Sequence, residues 1–157
     1  MKASSINEIK QELQNLSAKE ITELCLRLAR FKKENKELLT YLLFEAHDEA
    51  GYIEAVKTVI DALFAEVNIT NLYFAKKSIR KILRITNKHI KYTASKQVEA
   101  YLLIHFCSSL KASGISIEKS LLIQNIYTQQ IKKIKTAIAT LHEDLQYDML
   151  KELRQVE

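Results

Sequence analysis

Tyr101-Leu102-Leu103-Ile104-His105-Phe106-Cys107 is the most apolar run of the chain. At about 100° per residue, such a run covers nearly every direction around a helix. A helix that is apolar on all sides is buried on all sides. Ser95 is a natural cap before it, and Ser113-Gly114 follows it, where Gly fits the left-handed position just past a C-terminus. The spacing therefore predicts a sixth helix that is the centre of a bundle. The run falls far short of the ~20 apolar residues that a membrane span requires, so no crossing is expected.

Composition extends the helical reading to the whole chain. Proline is absent and glycine occurs only at Gly51 and Gly114, where average usage in 157 residues would supply roughly 8 and 11. Sheets and irregular loops need these residues at their turns. The chain is expected to be all-α: one domain over residues 1–157, with six to eight helices stacked as antiparallel hairpins. Its length suffices for a core without staples. The opening residues hold no apolar signal segment, and Cys25 and Cys107 stand alone. Both features point to a reducing, cytoplasmic setting in which the thiols act as small hydrophobes.

Helix starts elsewhere in the chain are legible. Ser5-Ile6-Asn7-Glu8 and Ser17-Ala18-Lys19-Glu20 fit the capping box, predicting helices over 6–16 and 18–33. In the second, Ile21, Leu24, Leu28 and Phe31 form one apolar stripe. Asn35 is the expected cap of a short third helix carrying Leu38, Leu39, Leu42 and Leu43. Asp48 is the expected cap of a fourth, with Ile53, Val56, Ile60, Leu63 and Val67 inward and Gly51 in its first turns. Toward the C-terminus, Tyr127, Ile131, Ile134, Ile138, Leu141 and Leu145 make a heptad-like seam. Thr140-Leu141-His142-Glu143 competes with it as a capping box, so residues 117–156 read as one long helix or a pair. The seam fits packing within one chain or a homodimer.

Charge is concentrated. Residues 1–67 hold 9 Lys/Arg against 12 Asp/Glu, residues 68–100 hold 8 against 1, and residues 101–157 hold 7 against 6. On the fifth predicted helix, about 70–91, Leu72, Ala75, Ile79, Ile82, Leu83, Thr86 and Ile90 fall within an arc of roughly 100°. Lys76, Lys77, Arg80, Lys81, Arg84, Lys88 and Lys91 occupy an arc of roughly 140° opposite it. No acidic residue sits among them to form i,i+4 pairs, so like charges repel along the face. A solvated face neutralised by acids of other helices fits this pattern. So does a face for nucleic-acid phosphates, or for an acidic protein or membrane surface. Tyr73, Asn87 and Tyr92 lie nearby, without a recognition-helix or single-strand signature around them.

Nothing in the chain assembles a reaction. His47, His89, His105 and His142 fall on four separate elements, with no inward Glu-x-x-His pair for a di-metal bundle. Two glycines 63 positions apart make no phosphate loop, and no serine has a nucleophile's context. No enzyme activity, metal or cofactor is expected. The expected function is a helical interaction module for a protein partner or a second copy. The alternative is a sequence-nonspecific nucleic-acid binder using the basic face. The block Ile9-Lys10-Gln11-Glu12-Leu13, Leu16 to Leu24 and Lys33-Glu34-Asn35-Lys36-Glu37 resembles a family of short, all-helical bacterial proteins of uncharacterised function. The resemblance covers residues 6–45. It implies helices and a bacterial origin, and carries over no functional residue.

Overall fold

Helix-favouring sequence without breakers yields a computed structural model, describing residues 2–157, that is 81% helical. Among the described residues there is no strand, and no helix is long and apolar enough to cross a membrane. The described residues form eight α-helices: α1 (Ile6–Gln14), α2 (Ala18–Phe31), α3 (Lys33–Thr40), α4 (Glu49–Ala65), α5 (Leu72–Thr93), α6 (Lys96–Ala112), α7 (Leu121–Ile138) and α8 (Glu143–Val156). A π-helical turn, Tyr41–Glu45, follows α3, and a 3-10 turn, Ile117–Lys119, precedes α7. The fold is an all-α multi-helix bundle. Its contacts gather into two compact units, the first ending at Phe44 and the second spanning Glu45–Glu157.

In the first unit local chemistry sets the helix ends. Both capping boxes form: Ser5 and Ser17 hydroxyls accept from Glu8 N and Glu20 N, while each carboxylate accepts from its serine's backbone N–H. These bonds hold both carboxyls below the ordinary carboxylate range, chiefly through the Ser5 backbone for Glu8 and the Ser17 hydroxyl for Glu20. Their contribution to the helix ends is present above that range and lost as pH falls through the lowered values. Asn35 is not the cap of the third helix. Lys32, extended at φ −141° and ψ 144°, makes a one-residue corner, and α3 starts at Lys33 without a side-chain cap. Asn35 Nδ2 instead donates to the Leu28 carbonyl at 2.9 Å, serving the open end of α2.

The second unit is built around α6, which packs against α4, α5, α7 and α8. Leu102, Leu103, Phe106, Cys107 and Leu110 have no exposed surface, as the apolar run predicts. Ser95 caps α6 through its hydroxyl, and Gly114 takes φ +75° beyond its end. In α4 the inward set includes Tyr52 and Phe64, the latter taking the place expected for Leu63, and Phe64 meets Phe106 with ring centroids 5.5 Å apart. Asp48 caps this helix by accepting from Gly51 N at 2.9 Å. A Cβ at Gly51 would meet Asp48 Oδ2 at 2.2 Å, so glycine lets the cap close.

The C-terminal segment is a pair of helices. Its break falls at Ala139–His142, and the cap is His142, whose ring accepts from Asp144 N. Thr140 is not the cap: it lies within the break, where its hydroxyl donates to the Ala137 carbonyl. Ile134 and Ile138 are fully buried within one chain, with α7 packed on α6. Replacing Ile134 by Ala should cost roughly 2–5 kcal/mol of stability. The unfolding midpoint should shift equally at every protein concentration; a concentration-dependent shift would mean that the seam joins subunits.

Candidate interaction faces

Burial separates the two units sharply. Before Tyr41, no described residue of the first unit is buried, although α1–α3 carry strong apolar stripes. The α2 stripe of Ile21, Leu24, Leu28 and Phe31 lies exposed, Phe31 at 75%. Leu43 and Phe44 follow at 62% and 67%. Contiguous exposed apolar surface on a small protein marks a place where something else binds.

The corner at Lys32 folds α3 back toward α2 and leaves a groove of about 600 Å³. Leu26, Ala29, Leu39, Leu43 and Phe44 give it an apolar lining, and among the described residues Arg30, Lys32, Lys33 and Lys36 supply the charges in its wall. Lys33 pairs with Glu37 at 3.6 Å. Arg30, Lys32 and Lys36 make no ion pair among the described residues. The wall therefore combines apolar area with uncompensated positive charge.

A second open face lies on α5. Asn68 Oδ1 accepts from Thr70 N and Asn71 N, and Asn71 Oδ1 then accepts from Tyr73 N and Phe74 N, which fixes where the helix begins. Ala75, Ile79, Ile82 and Thr86 are buried on its inner side, within the predicted apolar arc. The Thr86 hydroxyl is satisfied by the Ile82 carbonyl at 3.0 Å. Lys77, Arg80, Lys81, Arg84 and Lys91 are exposed on the other side, and Lys76 and Lys88 are half-buried. Among the described residues, Lys76, Lys77, Arg80, Lys81, Arg84 and Lys91 have no acidic partner. Neutralisation by acids of neighbouring helices is thus not found for these six, while Lys88 Nζ lies 6.0 Å from the Tyr92 ring. Tyr73 and Phe74 extend the same face at its first turn, 61% and 51% exposed, with Lys77 Nζ 4.6 Å above the Tyr73 ring. Phe74 lies outside the apolar arc, a phase visible in the sequence.

Polar side chains also cluster elsewhere in the second unit. His105 Nε2 lies 2.7 Å from Asp61 Oδ1, and the Ser109 hydroxyl donates to the same oxygen at 3.0 Å. The serine proton is held by the carboxylate rather than by the imidazole. His89 Nδ1 lies 2.8 Å from the Tyr52 hydroxyl, and no group of three metal-ligating side chains occurs among the described residues. Cys107 is fully enclosed, and burial pushes its thiol up to about 12, which disfavours the nucleophilic thiolate. Tyr127 is likewise pushed up to about 12 by burial, and its hydroxyl donates to the Val156 carbonyl, tying α7 to the end of α8. No family model, curated protein or solved structure matches the chain.

Proposed function

We propose that this chain is a non-enzymatic helical interaction module. Its first unit receives an amphipathic helix of a protein partner in the α2–α3 groove, with acidic residues flanking the partner's apolar stripe. The observation that carries this reading is the groove itself: an apolar lining with three cations unpaired, and no acidic residue in the wall, among the described residues. A helix laid in such a groove buries its apolar anchors against Leu26, Leu39 and Leu43, while flanking carboxylates meet Arg30, Lys32 and Lys36. Electrostatic complementarity of this kind chiefly sets on-rate and partner choice, and apolar anchors supply affinity. The isolated thiols support a cytoplasmic setting.

A labelled Leu-rich helical peptide with Glu flanks, titrated into the intact protein, tests the proposal. It should bind, and the same peptide with Lys flanks should bind much more weakly. Leu43→Asp, at an exposed position, should weaken binding by about thirtyfold or more, the effect of losing one central anchor worth ~2 kcal/mol. Equal binding of both peptides would contradict the acidic-partner reading. A dimer that Leu43→Asp converts to monomer would replace the partner by a second copy.

The six unpaired cations favour a second reading, in which the outer face of α5 contacts the phosphate backbone of nucleic acid without reading base sequence. Lysine and arginine against phosphate suffice for such affinity, because binding releases condensed counterions.

A further inference from the structure

The exposed rings at the start of α5 add something that phosphate contacts alone do not require. Tyr73 and Phe74 are adjacent, with centroids 5.5 Å apart at 73°, and project from the first turn of the helix that carries the cations. At about 100° per residue, Tyr73 falls in the middle of the basic arc and Phe74 at its margin. Leaving two large rings in water forfeits their burial, a loss that a stacked base would recover. We infer that the outer face of α5 binds single-stranded nucleic acid in preference to duplex. An unpaired base stacks on the Tyr73–Phe74 pair, and the following phosphates lie along Lys77, Arg80, Lys81 and Arg84. This inference rests on the phosphate reading of α5 just given.

The chemistry separates the two forms of nucleic acid. Every unpaired base offers a π face, so ring stacking recognises single strands of any sequence, whereas a duplex keeps those faces stacked within itself. From residue 73 to residue 84 the helix rises about 16 Å, enough for a short run of nucleotides near the lower limit of known single-strand sites. Asn71 holds the amides of both ring-bearing residues, so the platform is fixed before the ligand arrives. Lys77, already above the Tyr73 ring, places an ammonium beside any base stacked there.

Fluorescence anisotropy with the intact protein at ~50 mM salt tests this, since electrostatic affinity is greatest at low salt. The probes are oligothymidylate and oligouridylate of about 16 nucleotides, a duplex of equal length, polyglutamate and phosphatidylserine vesicles. Single strands should bind about tenfold or more tighter than duplex, as expected for at least one stacked base. Tyr73→Ala with Phe74→Ala should weaken single-strand binding roughly fivefold to a hundredfold, with duplex binding and the salt slope unchanged. An unaltered thermal melt will show that the variant is folded. Equal binding of single strand and duplex, insensitive to the double variant, would overturn the single-strand inference and leave the phosphate reading standing. No nucleic-acid binding, or preference for polyglutamate or vesicles, would overturn both.

Discussion

Replacing Leu103 by Asp is expected to abolish cooperative folding of the second unit. Leu103 has no exposed surface and sits on α6, the helix against which α4, α5, α7 and α8 all pack. Truncating a buried leucine costs about 2–5 kcal/mol, and a buried carboxylate without a partner adds several more. Total stability of a domain is only about 5–15 kcal/mol, so the two losses together consume most or all of it. Circular dichroism should lose the cooperative thermal transition. Leu103→Met, which conserves volume, should cost less than about 1.5 kcal/mol and serve as the control. If the Asp variant melts like the parent, α6 is not the centre of the core.

Reversing Arg80, Lys81 and Arg84 to Glu should produce the largest functional effect. All three are exposed and none has an acidic partner among the described residues. If each meets a phosphate, their loss should flatten the salt dependence of oligonucleotide binding by about 2–3, since each contact contributes roughly 0.7–0.9 to the slope. At ~50 mM salt affinity should fall by two to three orders of magnitude, because electrostatic attraction becomes repulsion. Thermal stability should move by less than about 0.5 kcal/mol, the usual range for surface substitutions away from structural contacts. Substantial destabilisation with unchanged binding would instead assign the stripe a role within the fold.

Local chemistry was the most legible part of the sequence. Ser5 with Glu8, Ser17 with Glu20, Asp48, Ser95 and Gly114 each mark a helix end through bonds or dihedrals that involve only neighbouring residues. Asn35 and Thr140 show where this fails. Both have cap-like chemistry, but Asn35 finds the Leu28 carbonyl and Thr140 the Ala137 carbonyl, so competing local acceptors decide. The apolar run of α6 announced its burial because nearly every direction around it was apolar, His105 excepted, which meets Asp61. The stripe of α2 is as clear in the sequence, yet it lies open. Amphipathicity identifies an apolar face without saying whether anything covers it. Likewise, the phase of the α5 cations was readable, whereas the absence of acidic partners depends on where other helices fall. The α2–α3 groove was not legible at all, because it depends on the corner at Lys32, a residue with no turn signature.

Backbone amide mapping by NMR tests the interaction-module proposal most directly. With the Glu-flanked helical peptide added, the perturbed amides should cluster at Leu26, Arg30, Lys36, Leu39 and Leu43, saturate, and disappear in Leu43→Asp. Saturable shifts confined to the second unit, or none at peptide concentrations well above those of the protein, would contradict a docking groove between α2 and α3.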